Sequence, residues 1–189
     1  MEKVLVDILH FATLAHGTQR RKYRDEMYIC HPVRVMELCS GYDSRTEVAA
    51  AALLHDVLED TAVSEFQMHA FLNTVLNEDK AKHIMEMVRD LTDVYTKKQY
   101  PELNRSQRKQ KELQRIAKTS SASQTIKYAD IIDNTNDIVL YAPSFAPRYL
   151  RECYDILKTA NKGNTRLYER AFEQVQYELT KLKRAPKNR

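Results

Sequence analysis

Glycine is nearly missing from this 189-residue chain, at three residues, and five prolines complete a short supply of turn formers. That shortage argues against a many-stranded sandwich, which needs a turn every few residues, and against a glycine-rich phosphate loop. No run approaches 18 apolar residues, and the N-terminal MEKVLVDILHFATLAHG is amphipathic, with charges among its first seven residues. Neither a transmembrane helix nor a secretory signal is expected, and no membrane partner. The three cysteines, Cys30, Cys39 and Cys153, are odd in number and show no CxxC spacing. A disulfide framework and a zinc ribbon are both disfavoured.

What is present is ordinary for a globular protein: 43% apolar and 30% charged residues. The length fits one domain, spanning 1–189, that can bury a real core. The net charge is +4, and part of the excess lies in the last nine residues, KLKRAPKNR. This segment reads as a solvated, frayed basic tail from about 181. A nucleic-acid surface would interleave basic residues with aromatics on an ordered face, and the tail has no aromatic, so no nucleic-acid partner is expected. The chain reads as a soluble, mostly helical, cytoplasmic protein, with no pattern that specifies an oligomeric state.

Periodicity predicts an all-α bundle of about eight helices. Val4, Leu5, Ile8, Phe11, Ala12 and Ala15 form an apolar stripe over 3–16. A polar, irregular segment follows, GTQRRKYRDEMYICHP, ending where Pro32 can open a second helix in its first turn. Thr46 is placed to cap the run EVAAAALLHDVLED, with Glu47 in its first turn. Ala49 to Leu54 is apolar all round, so this helix belongs at the centre. Ser64 caps another helix, and a longer one runs over about 80–91. Residues 92–104 contain Pro101 and read as a loop, 105–118 as a charged helix. SSAS reads as a break before a helix over about 124–140. Pro143 and Pro147 bracket a turn, and helices over about 147–160 and 165–183 finish the chain. No internal repeat or interdomain linker interrupts it.

Three constellations carry possible chemistry. On one continuous helix, His55, Asp56, Glu59 and Asp60 would fall within an arc of about 140°. Three carboxylates and an imidazole after apolar turns are costly to desolvate, and they repel one another unless a cation compensates. Imidazole and carboxylate are both ligands for divalent metals; the plain alternative is an exposed acidic face. Lys127, Asp130 and Asn134 share one helix face, where Asp130 can ligate metal and Asn134 can offer an amide to a base or sugar. The alternative there is an ordinary Lys–Asp pair. His31 stands at a helix start beside Pro32, downstream of Arg20, Arg21, Lys22 and Arg24, cations suited to phosphate oxygens or to stacking on a base. Taken alone, these are a packed histidine and a solvated loop.

In order and spacing, RRKYRDEMYICHP, LLHDVLEDT and IKYADIIDN resemble the HD-domain hydrolases of the RelA/SpoT type, above all the stand-alone small alarmone hydrolases. PELNRSQRKQKE is similar to a stretch of the same proteins, and the likeness spans about residues 4–160. The resemblance implies an HD-domain helical bundle in which His31, His55, Asp56 and Asp130 hold one divalent ion, usually Mn2+. It implies that Glu59 and Asp60 handle the attacking water, that Arg21 and Lys22 meet the nucleotide, and that Asn134 lies near the base. Lys127 matches a lysine one turn before the last ligand, on the substrate side. The implied reaction cuts the 3′ phosphoester of (p)ppGpp, giving GDP or GTP and pyrophosphate. Asn134-Thr135-Asn136 departs from the family's frequent N-L-R, removing one basic contact, and Met27 stands where proline is common. The same motifs fit (p)ppApp or the 2′-phosphate of NADPH as substrate, and a non-catalytic nucleotide-binding protein is the third reading.

Overall fold

The computed structural model describes residues 2–184, and every regular element among them is a helix. In chain order these are α1 (Lys3–His16), α2 (Cys30–Ser40), α3 (Thr46–Leu54), α4 (Val57–Asp60) and α5 (Glu65–Val75). They continue with α6 (Glu78–Leu91), α7 (Arg105–Ile116), α8 (Ser121–Tyr141), α9 (Ala146–Thr159) and α10 (Thr165–Arg184). The all-α class is as expected, but the count is ten. One cause is that the helix expected over 47–60 breaks at His55 and Asp56. Asp56 sits at φ −98° and ψ −6°, the bridge region between helix and strand where many active-site residues are found. No proline or glycine marks the break.

Local chemistry sets most of the boundaries. Ser64 forms a reciprocal capping box with Gln67, satisfying two backbone donors at the start of α5. Ser120 accepts the Ser123 amide at 3.0 Å, so the serines expected to break the chain instead cap α8 and fill its first turn. Thr46 is not a cap: it is the first residue of α3, and its hydroxyl donates to Glu2 at 3.0 Å. Gly17 ends α1 at φ +52°, a conformation a side chain would strain, and its amide reaches the Thr13 carbonyl at 2.9 Å.

The apolar-all-round sequence of α3 has its consequence in packing. Val48 to Leu54 are all buried, and α1, α2, α6 and α8 surround them. Complete burial of Leu53 and Leu54 stabilises the fold by up to about 2–3 kcal/mol each. α8, roughly 30 Å long at 1.5 Å per residue, runs against α2, α9 and α10. The end of α3, the start of α2 and the middle of α8 therefore meet in the interior.

The segment between α1 and α2 is irregular, drawn together by a single antiparallel bridge between Arg20 and Met27. Of the expected frayed tail, residues 181–184 instead continue α10, and residues 185–189 lie outside the described residues. No helix among the described residues is long and apolar enough to cross a membrane.

Candidate metal centre

His31 lies in the first turn of α2 and is wholly buried; His55 is 3% exposed at the end of α3. The His31 ring Nδ1 meets a carboxylate oxygen of Asp133 at 2.7 Å, and that of His55 meets the Ala52 carbonyl at 2.8 Å. Both partners only accept, so each Nδ1 carries a proton and each Nε2 is the atom left to ligate once it has shed its own. The two Nε2 atoms are buried without a hydrogen-bond partner. Orphaned polar atoms of this kind are rare in interiors and call for an explanation.

Their surroundings supply one. Asp56 Oδ2 lies 3.5 Å from His31 Nε2 and 3.1 Å from His55 Nε2. Asp130 Oδ1, from α8, lies 3.3 and 3.9 Å from the same two atoms. His31, His55 and Asp56 alone present ligand atoms within 4.8 Å of one another. Two imidazole nitrogens and a carboxylate within that span, with the Asp130 carboxylate beside them, are donor types suited to a divalent cation. The break at His55–Asp56 makes this possible, turning the Asp56 carboxylate to the same side as the ring before it.

The electrostatics agree. Burial opposes charge on His55, but the adjoining Asp56 and the nearby Asp130 overcome it and push the imidazole up to about 9. His31 moves the same way: burial is outweighed by the facing Asp130 carboxylate and by the bond to Asp133. Asp56 and Asp130 are held well below the usual carboxylate range, against burial, by His55 and His31 for Asp56 and by Lys127 and the histidines for Asp130. In the protein alone, protons fill the role of the positive charge that the cluster attracts.

Around this centre the remaining expected residues divide. Lys127 pairs with Asp130 Oδ2 at 2.8 Å, and Asn134 donates its amide to Asp130 Oδ1. Arg21 reaches the Asn134 carbonyl oxygen at 2.7 Å. Glu59 and Asp60 stand on α4 at the solvent side. Glu59 touches solvent yet is closely ringed by protein, so desolvation, with Asp93 and Asp56 adding repulsion, raises its carboxyl to about 7. Desolvation likewise raises Asp60. Lys22 is not drawn into the cluster: it is exposed, with its ammonium 5.1 Å from the Tyr23 ring centre.

Three features were not singled out from sequence. The Tyr28 hydroxyl donates to Asp56 Oδ2 at 2.7 Å, while its ring stacks on His16 at 4.7 Å. Asp133 orients His31, and its position three residues after Asp130 on the same helix was the available signal. Third, a cleft of about 750 Å³ opens beside Lys127 and Asp93, with Arg105 and Lys109 from α7 and Arg148 from α9 in its wall. Its size suits a small-molecule ligand. It adjoins the centre directly, because the Asp93 amide donates to Glu59 at 3.0 Å and Lys127 binds Asp130.

Comparison with known proteins bears on this arrangement. The HD domain family model matches residues 9–158. The chain is 30% identical over 152 residues to the Drosophila melanogaster guanosine-3′,5′-bis(diphosphate) 3′-pyrophosphohydrolase MESH1, covering 79% of this chain and 77% of that protein. It is 28% identical over 145 residues to the Xenopus tropicalis protein of the same name, covering 74% and 72%. Among solved structures it is similar to a metazoan ortholog of SpoT described as hydrolysing ppGpp and playing a role in starvation responses. That match has a TM-score of 0.75 at 25% identity, over 95% of this chain and 98% of the other. The Listeria monocytogenes EGD-e protein lmo0812 shares the fold, with a TM-score of 0.61 at 19% identity over 84% of this chain and 99% of that one.

Proposed function

This chain belongs to the HD domain family, and we propose that it is a metal-dependent (p)ppGpp 3′-pyrophosphohydrolase, releasing pyrophosphate and leaving GDP or GTP. The observation that carries the reading is the pair of buried, unpartnered Nε2 atoms facing two carboxylates. The substrate assignment is supported by the activity named for the MESH1 relatives.

In this reading His31, His55, Asp56 and Asp130 hold one divalent ion, Mn2+, and residues 1–189 work as a single domain in the cytoplasm. Such an ion, when bound, lowers the pKa of water and polarises a phosphoryl oxygen. The protein's own part is proton handling and charge neutralisation. Glu59, with its carboxyl raised to about 7, is poised to accept the proton of the attacking water near neutral pH, with Asp60 beside it. The water oxygen bonds to phosphorus as the bond from phosphorus to the ribose 3′-oxygen breaks, and the leaving oxygen takes up the proton that Glu59 accepted. Lys127, held in its charged form by Asp130 and Asp93 despite burial, and Arg21 balance phosphate charge. Lys22 would have to turn inward from Tyr23 to join them. Asn134 lies between Arg21 and Asp130, within reach of a base or sugar. The cleft lined by Arg105, Lys109 and Arg148 takes the part of the nucleotide away from the cut bond.

The test is product analysis with Mn2+, offering ppGpp, ppApp and NADPH at equal concentration. Pyrophosphate and GDP from ppGpp are the expected products. Pyrophosphate from ppApp alone, or orthophosphate from NADPH alone, overturns the substrate and keeps the chemistry. No turnover of any of them by Mn2+-loaded protein overturns the catalytic reading in favour of a nucleotide-binding role.

A further inference from the structure

Two acidic side chains on α8 lie outside the proposed chemistry, Asp133 and Asp137, and both are buried, at 7% and 2% exposed. Each is occupied by arginines. Arg34 donates to Asp133 through Nε at 2.6 Å and Nη2 at 3.1 Å. The same guanidinium reaches both oxygens of Glu26, at 2.7 and 3.0 Å. Glu26 belongs to the irregular 20–28 segment, whose Arg21 and Arg24 both bind Asp137, at 3.2 and 3.3 Å. The far side of Asp133 is the 2.7 Å bond to His31 Nδ1. A continuous line of charged hydrogen bonds thus runs from Glu26 through Arg34 and Asp133 to a ring that presents Nε2 to the metal centre.

We infer that Asp133 and Arg34 are positioning residues that couple the 20–28 segment to His31, so that metal affinity depends on Glu26, a residue that itself touches no ligand. The physical grounds are three. The Nδ1 partner of a ligating histidine fixes the ring's tautomer and orientation. A guanidinium that bridges two carboxylates is geometrically rigid, so displacement of Glu26 moves Asp133 as well. Removing one member leaves a largely buried charge unpaired, so the network keeps its arrangement as a unit. Because the segment also carries Arg21, substrate contact and metal grip become mutually reinforcing. This inference rests on the metal reading of the site.

The test is Mn2+ affinity of the full chain, read from the free-ion EPR signal, in a double-mutant cycle. Asp133→Asn should weaken Mn2+ binding about tenfold or more, the range for such supporting contacts. Glu26→Gln, remote from every ligand, should weaken it about threefold in the parent chain and have little further effect in the Asp133→Asn background. Thermal melting in EDTA reports the fold of each variant. If Asp133→Asn does not fold, Arg34→Lys, which keeps the charge and loses the fork, should weaken binding in its place. Parent-like Mn2+ affinity in Glu26→Gln, or effects that multiply independently, overturns the coupling and leaves a segment fastener only. A parent chain that binds Mn2+ no better than His55→Gln overturns the metal reading itself, a separate outcome.

Discussion

Raising the pH should loosen the metal-stripped protein, because it removes the protons on buried imidazoles that satisfy the carboxylates of the centre. His55 is lifted from its ordinary 6.5 to about 9 by Asp56 and Asp130, against burial. A group whose folded-state pKa is raised contributes stability that is complete below the unfolded value. It is lost as pH climbs through the folded one. For His55 the full contribution is about 3 kcal/mol, of which about 2 kcal/mol disappears between pH 7 and 9. His31 moves in the same direction and adds to the loss. Glu59, raised to about 7, finishes ionising in this window and adds a small loss of the same sign, whereas the buried thiols of Cys39 and Cys153, pushed up to about 12, stay out of it. With unfolding entropy near 2.1 cal/mol/K per residue, about 2 kcal/mol corresponds to roughly 5 °C in Tm for a chain of this length. Melting followed by circular dichroism in EDTA should therefore show Tm falling by about that amount from pH 7 to 9. With saturating Mn2+ the slope should reverse, since the ion must displace the same protons and binds better as they leave. His55→Gln in EDTA should lose most of the slope. A chelated parent protein whose Tm is flat or rising across this window refutes the electrostatic reasoning, as does a His55→Gln variant that keeps the whole slope.

Other expectations concern single side chains. Asp56→Asn should abolish Mn2+ binding and turnover together, measured by EPR and by pyrophosphate release; full activity in this variant removes Asp56 from the ligand set. Glu59→Gln should retain the metal and lower kcat by about 10²–10⁴-fold. In the parent enzyme the rate should rise with pH through about 7 as Glu59 ionises, and that limb should vanish in the variant. A normal rate for Glu59→Gln excludes it as the base. Gly163→Ala should destabilise the fold by about 1–3 kcal/mol in a denaturant titration. Its new carbon would lie 2.5 Å from the Tyr128 ring and 2.8 Å from the Thr125 amide. An unchanged midpoint would mean that the α9–α10 connection yields more readily than this packing allows.

Much of the fold was legible because single residues act locally. The apolar ring of Ala49–Leu54 specifies a central helix, and Ser64 with Gln67 specifies a helix start, whatever surrounds them. The break at His55–Asp56 was not legible, since neither proline nor glycine causes it. It depends on the ring bonding back to the Ala52 carbonyl and on where the carboxylate is drawn. Thr46 shows the same limit: a good capping residue, it is diverted to Glu2, 44 residues away. At the site, His31, His55, Asp56 and Asp130 could be grouped from motif and order before the structure brought them together. Tyr28 and Asp133 could not be assigned, because each acts on a residue distant in sequence, 28 and 102 positions away. Lys22 failed in the opposite way. Beside Arg21 in sequence, it points outward over Tyr23, because neighbours in an irregular segment need not share a face. The cations of α7 were visible in NRSQRKQKE, but only the packing of α7 against α9 makes them one wall of a cleft.

The most direct test of a metal-driven hydrolase is anomalous diffraction at the manganese edge from crystals soaked in Mn2+. The expected result is one strong peak bounded by His31 Nε2, His55 Nε2 and the carboxylates of Asp56 and Asp130, from protein of the same batch that cleaves ppGpp. Active protein with no peak between those two nitrogens, or with its ion bound elsewhere, would contradict the assignment.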